Sequence, residues 1–72
     1  MNFINNNIKE ILPDKIAQMN ESGANFLEVK HENISFMMYK KDSMEWEKEE
    51  KSQKSLASEF EYEQKIYIIA IK

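Results

Sequence analysis

The carboxylates of this chain, together with its single histidine, are the side chains best suited to chemistry. His31 has Glu28 and Glu32 as acidic neighbours in the sequence. A structural zinc site takes four ligands, and a catalytic one takes three and a water molecule. One imidazole and two carboxylates fall short of either set. His31 is therefore interpreted as a turn residue, and the sequence predicts no metal ligand and no cofactor.

Three glutamates alternate near the end of the chain, at positions 59, 61 and 63. On a strand they would share one face, because successive side chains point to opposite sides. Paired carboxylates perform acid–base catalysis where burial separates their pKa values. The surrounding sequence predicts no concave site of that kind. These residues are interpreted as a solvated face or a charged contact, and no catalytic residue is predicted.

Acidic residues are concentrated between positions 45 and 63, although the net charge of the chain is only −3. Carboxylates on a rigid element could imitate phosphates and occupy a basic groove of another protein. The alternative is a charged hairpin that resists aggregation. Trp46, inside this segment, is either a piece of core or an anchor for a partner. The predicted acidic contact face consists of Glu45, Glu47, Glu59, Glu61 and Glu63.

Composition narrows the functional class. All ten basic residues are lysine, whereas bidentate contacts to bases and phosphates are made by arginine, so direct binding of nucleic acid is not expected. The chain has no cysteine, which excludes thiol chemistry and favours a reducing compartment. No apolar run approaches the roughly 20 residues that span a bilayer, and the N-terminus does not resemble a signal peptide. The sequence predicts a cytoplasmic, non-enzymatic protein without a membrane or small-molecule partner.

The first element that can be read from the sequence is a helix over residues 3 to 22. Apolar residues recur there at spacings of three and four, which is typical of an amphipathic helix. Pro13 predicts a kink, with a second helix beginning at that residue as the alternative. Gly23 suits the left-handed cap after the last turn. The stripe consists of Ile4, Ile8, Ile11, Leu12, Ile16 and Met19.

A hairpin follows the helix. Phe26 to Lys30 and Ile34 to Lys40 alternate as strands, joined by a turn at residues 31 to 33. Helix and hairpin together, IKEILPDKIAQMNESGANFLEVKHENISFMMYKK, resemble the N-terminal segment of biotin carboxyl carrier proteins. There, too, a helix ending in Glu-Ser-Gly leads into a Leu-Glu-Val strand. The resemblance implies this geometry and no function, because the Ala-Met-Lys-Met motif that accepts biotin is missing.

Residues 41 to 58 fit two structures. Their Glu, Lys, Gln, Leu and Ala content favours a helix, whereas the slightly preferred alternative is a pair of hairpin arms that turn near residues 51 to 53. The predicted fold is a single α+β domain over residues 1–72, in which a kinked N-terminal helix packs on a three-stranded antiparallel β-meander. A short second helix before the last strand is the alternative. The hairpin register would pair Trp46 with Leu56, Phe36 with Ile66, and Ile34 with Ile68.

The last segment, residues 60 to 72, begins amphipathic and ends apolar on both faces. In the predicted register the helix covers one face of the sheet, which holds Ile34, Phe36, Met38, Ile66 and Ile68. The other face would expose an apolar patch too large to remain in water. A second helix that closes over this face is the alternative. With Trp46, the patch forms the predicted partner interface, which consists of Met37, Tyr39, Trp46, Tyr67, Ile69 and Ile71.

These features predict a small intracellular protein-binding regulator or inhibitor, of the kind that phages encode, which occupies a surface of a larger protein. Its concrete form is an antagonist of a nucleic-acid-processing enzyme, such as a CRISPR effector or a repair enzyme. The alternative is a structural subunit that forms a homodimer or joins an assembly through its outer sheet face. Both hypotheses require another protein, or a second copy of this one, as the partner.

Overall fold

The computed structural model describes residues 6–52 and 56–71. Its elements are α1 (Asn6–Ser22), β1 (Phe26–His31), β2 (Ile34–Lys40), α2 (Met44–Ser52), β3 (Leu56–Tyr62) and β4 (Lys65–Ile71). The strands form one antiparallel sheet in the order β1-β2-β4-β3. The predicted α+β class is confirmed, and the sheet has four strands rather than three because the segment after α2 supplies a strand of its own.

Helix α1 buries the predicted apolar stripe against the sheet. Ile8, Leu12, Ile16 and Met19 are each no more than 3% exposed. The helix runs through Pro13 as one element, so the alternative with two helices is wrong. Residues 3 to 5 of the predicted helix, including Ile4 of the stripe, lie outside the described residues.

The end of α1 forms the cap predicted from the single glycine. Gly23 has a φ of 75°, the left-handed conformation that glycine adopts without a steric cost. Its N–H donates to the Asn20 carbonyl at 3.2 Å, and the Ala24 N–H donates to the Met19 carbonyl at 3.2 Å. This pair of bonds defines a Schellman motif. Ala24 also packs against the core cluster that contains Met19, so the cap directs the chain into β1.

The two hairpins of the sheet have loops of two residues. His31 pairs with Ile34 at the first, which confirms the predicted hairpin but places His31 at the end of β1 rather than in the turn. Tyr62 pairs with Lys65 at the second. Its loop residues, at positions 63 and 64, have φ values of 51° and 67°. Positive φ at both positions is the signature of a type I′ turn, which Asn-Gly suits best.

The register between β2 and β4 differs from the predicted one. Met38 lies opposite Ile69, whereas the predicted pairing sets Phe36 opposite Ile66. The displacement is an odd number of residues, which moves every side chain of β4 to the other face of the sheet. The predicted register is wrong because α2 and β3 connect the two strands. No short turn fixes how they align.

The sheet separates two apolar clusters. The first lies under α1 and contains, besides the helix stripe, Val29, Phe36, Met38, Tyr67 and Ile69. The second lies under α2 and contains Tyr39, Trp46, Ile68 and Ala70, with Met37 packed against it. Because side chains alternate along β2 and β4, the two clusters occupy opposite faces, and each face of the central strands has its own helix.

The β3–β4 turn gives a test of this geometry. Replacing Glu63 and Gln64 together by Asn and Gly should raise the free energy of unfolding by about 1 kcal/mol, since both residues tolerate positive φ. Urea denaturation followed by circular dichroism measures the change. The matched control, Glu63→Ala with Gln64→Ala, keeps a Cβ at both positions and should give no gain. An equal gain in the control would contradict the assigned turn.

Candidate protein-contact surface

Ser43 starts α2. Its Oγ accepts the Trp46 N–H at 3.1 Å and donates to the Lys40 carbonyl at 2.6 Å. The Ser43 carbonyl accepts the first helical bond, from the Glu47 N–H at 3.1 Å. Ser43 is therefore an N-cap residue, although Trp46 stands three residues later, where a capping box has Glu or Gln. Acidic residues in the first turn of α2 and a lysine in the last also suit the helix dipole.

The segment before the last strand contains both predicted structures. Residues 44 to 52 are helical, as the second-helix alternative predicts, whereas residues 56 to 62 form a strand. The slightly preferred hairpin, with its turn near residues 51 to 53, is wrong for Lys51 and Ser52, which belong to α2. Gln53, its third turn residue, lies outside the described part of the chain. The pairing of Trp46 with Leu56 is not formed, because Leu56 lies opposite Ile71.

Trp46 holds α2 on the sheet. It is 8% exposed, and its ring centroid lies 5.4 Å from that of Tyr39, with the planes tilted by 47°. Ile68 and Ala70 complete the pocket around it. Phe26 stacks with Tyr39 at 6.2 Å and extends the aromatic group to the edge strand β1. Of the two interpretations of Trp46, the structure favours the piece of core.

Tyr39 adds a polar contact beneath α2. Burial raises the pKa of the Tyr39 phenol above its usual value, and the Glu49 carboxylate raises it further by its charge and by accepting a hydrogen bond. Both effects favour the neutral phenol. Trp46 and Glu49 lie three residues apart, on one side of a helix. That side of α2 therefore faces Tyr39 through an aromatic and a polar contact.

The structure divides the predicted partner interface between the two sides of the sheet. Tyr67 and Ile69 are buried in the cluster under α1, and Ile71 packs against that cluster. The other three predicted residues, Met37, Tyr39 and Trp46, belong to the cluster under α2. The predicted continuous patch is not formed, because β4 presents its alternate side chains to α1 and α2 covers the face that was expected to be open.

The predicted acidic contact face lies mainly on the α2 side. Glu59 and Glu61 lie opposite Ile68 and Ile66 of β4, and so share the face that α2 covers. Glu45 and Glu47 belong to the first turn of α2, and Glu63 lies in the β3–β4 turn. Glu45 is half-buried, whereas the other members of the face are exposed.

Several of these glutamates have partners within the chain. Glu59 forms an ion pair with Lys41 at 2.7 Å, and Glu47 forms one with Lys51 at 3.3 Å. The Asn25 amide donates to Glu45 at 3.4 Å. Both ion pairs are solvent-exposed, so each contributes little to stability. Their carboxylates can exchange these partners for those of another protein at low cost.

An open cleft beside these glutamates was missed by sequence reasoning. It has a volume of about 920 Å³ and lies where α2 begins and the β3–β4 turn ends. Met44 and Ile66 are its exposed apolar residues, at 69% and 38% exposure. Lys40, Lys41 and Lys65 also line it. The signal that could have found it is Ser43, since an N-cap there puts Trp46 one turn into the helix and Met44 at its first position.

Among the described residues, those that could hold a metal ion include His31, the single histidine of the chain. His31 Nε2 lies 4.0 Å from a Glu32 oxygen. Within residues 6–52 and 56–71, no group of three or more His, Cys, Asp or Glu side chains is placed to hold a metal ion. The same residues include no helix whose length and apolar character would carry it across a bilayer.

Titration of Tyr39 tests the docking of α2. Because the folded protein holds the phenol proton to higher pH than the unfolded chain does, the free energy of unfolding should fall as pH rises above about 10. Replacing Glu49 by Gln removes the nearby charge and should lower the pKa of Tyr39, measured by NMR of the ring carbons. The exposed neighbour Glu50 supplies the control, since Glu50→Gln should leave that pKa unchanged. Equal shifts in both variants would contradict the contact.

Comparison with known proteins assigns no family to this chain. No protein-family model, no curated protein and no solved structure matches it. Its function must therefore be inferred from the contacts, exposure and charges of the described residues.

Proposed function

We propose that this chain is a small, non-enzymatic protein-binding regulator, which acts in the cytoplasm by occupying a surface of a larger protein. The observation that carries the proposal is the exposure of Met44 and Ile66 in an open cleft beside the acidic side of the sheet. An apolar centre surrounded by charged residues is the usual anatomy of a protein–protein contact.

The apolar centre supplies the affinity. Met44 occupies the first position of α2 and Ile66 the second position of β4. Full burial of such a side chain contributes roughly 1.5–3 kcal/mol, and Met44, at 69% exposure, has most of that contribution still to gain. Methionine is flexible and adapts to irregular surfaces. Met44 is therefore proposed as the principal anchor and Ile66 as the floor of the contact.

The surrounding carboxylates supply the charge preference. Glu61 is the cross-strand neighbour of Ile66, so its carboxylate lies beside the apolar centre. Glu59 lies on the same face and is bonded to Lys41, which lines the cleft. Carboxylates at a rim accelerate association with a basic surface and select against acidic ones. The proposed partner is a protein that presents lysine and arginine to Glu59 and Glu61, outside the lysines that line the cleft.

A groove that holds nucleic acid is a basic surface of this kind. We propose, as the concrete form of the function, an inhibitor of a nucleic-acid-processing enzyme, of the anti-CRISPR kind that phages encode. Glu59 and Glu61, two residues apart on a strand, lie about 6.8 Å apart along its axis and would take the place of phosphates. The alternative is a structural subunit that associates through its outer sheet face, where α2 packs over Tyr39, Ile68 and Ala70.

Site-directed variants of an affinity-tagged protein test the proposed contact. Met44→Glu should weaken partner capture at least about tenfold, since it places a charge in the apolar centre. Glu61→Lys should weaken capture most strongly at low salt, where rim charges matter most. Binding curves of the captured protein, titrated against each variant, measure both effects.

The matched control is Leu56→Glu. Leu56 is 73% exposed and begins β3, at the end of the strand opposite the cleft, so its replacement should not change capture. Equal losses in the Leu56 and Met44 variants would contradict the proposed surface. Duplex DNA added as a competitor should release the partner. If capture persists in the presence of DNA and still depends on Met44, the proposal of an inhibitor of a nucleic-acid-processing enzyme is contradicted. The more general proposal of a protein-binding regulator is not.

A further inference from the structure

We propose that the outer edge of β1 is a docking edge for a second copy of this chain, paired antiparallel about Val29. The pairing would join two four-stranded sheets into one continuous sheet. It does not depend on the cleft at Met44 and Ile66, which is lined by the segment leading into α2, the β3–β4 turn and the start of β4, with Asn25 next to β1.

The backbone of β1 has hydrogen-bonding groups to offer at this edge. The Lys40 N–H donates to the Asn25 carbonyl at 2.9 Å. Since alternate residues of an antiparallel strand bond to a given neighbour, the odd-numbered residues of β1 bond to β2. Phe26, Glu28 and Lys30 therefore direct their N–H and C=O groups away from it. β1 is terminal in the strand order, so these groups face the outer edge.

A second bond supports this alternation independently. The Lys41 N–H donates to the Ile66 carbonyl at 3.2 Å, which assigns the odd-numbered residues of β2 to β4. The even-numbered residues of β2 are then left for β1. The register agrees, since the odd residue Val29 lies opposite the even residue Phe36. Both hydrogen bonds thus assign the same backbone groups of β1 to the open edge.

Charge selects one register for self-pairing. About a two-fold axis at Val29, Glu28 lies opposite the second copy's Lys30, and Lys30 lies opposite the second copy's Glu28. Opposite charges in directly facing positions stabilise a strand pair. These are also the residues whose backbone groups face outward, so each charge pair coincides with a pair of backbone bonds. In a two-fold symmetric contact each interaction occurs twice.

The neighbouring registers are unfavourable. An axis at Glu28 sets two glutamates face to face, and an axis at Lys30 does the same with two lysines. Registers between these positions would place α1 of the two copies on opposite faces, because an odd shift exchanges the faces. The axis at Val29 keeps both helices on one side. There Leu27 and the second copy's His31, each half-buried within its own chain, would meet over the new strand pair.

At the other edge of the sheet, pairing of strand β3 with its own copy would bring like charges face to face. Full overlap of two β3 strands centres on Glu59, which would then face its own copy. Centring on Phe60 sets Glu59 against the second copy's Glu61. Like charges in facing positions are the device by which edge strands avoid one another. β1, with its alternating signs, lacks that protection, so the proposal assigns self-association to β1 alone.

A charge swap tests the register. Light scattering with size exclusion, over dilutions from millimolar to micromolar, should show a concentration-dependent dimer. Glu28→Lys and Lys30→Glu alone should each raise its dissociation constant about tenfold or more, because each creates two like-charge pairs. The double variant Glu28→Lys with Lys30→Glu restores opposite charges and should return the constant to near that of the parent. Hydrogen exchange should show concentration-dependent protection of the Glu28 and Lys30 amides.

The control is Glu10→Lys, the same charge reversal on the exposed side of α1, which should leave the dimer intact. A parent protein that remains monomeric at millimolar concentration would overturn the proposal. Failure of the double variant to restore the dimer would also overturn it, as would dissociation by Glu10→Lys. Partner capture through Met44 should survive in the Lys30→Glu monomer, which separates failure of this proposal from failure of the proposed function.

Discussion

Strand β4 is the constraint on which the rest of the structure depends. Tyr67 and Ile69 enter the cluster under α1, whereas Ile68 and Ala70 enter the cluster under α2. A strand that is apolar on both sides must be covered twice, since each exposed face would leave an apolar patch in water. The chain meets this requirement by placing β4 in the interior of the sheet and by using one helix for each face.

The two helices that cover the sheet differ in length and in the number of side chains they bury. This difference determines which residues remain exposed on the α2 side. α1 has 17 residues and buries four apolar side chains, whereas α2 has nine and buries Trp46 alone. So short a helix is held by a few specific contacts, which are the Ser43 cap, the ring contact with Tyr39 and the Glu49 carboxylate. Its outer positions are charged, and its first turn leaves Met44 exposed. The acidic side and the cleft therefore follow from the shortness of α2.

Local patterns predicted the parts of this fold that local forces determine. The stripe of α1, the cap at Gly23 and the β1–β2 hairpin each depend on residues close in sequence. The β2–β4 register does not, because α2 and β3 intervene and because β4 is apolar on both sides. Without a polar face, no position is penalised for pointing inward, so alternation alone cannot choose between registers. Because the β2–β4 register was predicted wrongly, the residues of the predicted partner interface lie in two separate clusters.

The placement of the acidic residues was predictable for a different reason. Glu59 and Glu61 share a face in any strand, whatever its register, and α2 begins with acidic residues wherever it packs. The cleft was not predictable, since it arises where α2, β4 and the β3–β4 turn meet. Exposure of Met44 follows from the position of the cap, and exposure of Ile66 follows from the register. Surface charge could therefore be inferred from sequence, whereas the apolar centre beside it required the fold.

Because a helix covers each face of the central strands, pairing with another strand is left to the edges of the sheet. Backbone groups at an edge can pair with any strand, so side-chain charges decide which pairings are permitted. β3 presents glutamates at positions 59 and 61, and these repel a second β3. β1 presents Glu28 and Lys30. Each repels its own copy in one register, and in the register between these two Glu28 lies opposite the second copy's Lys30 and attracts it. A pattern of two residues can thus both restrict aggregation and specify a single symmetric contact.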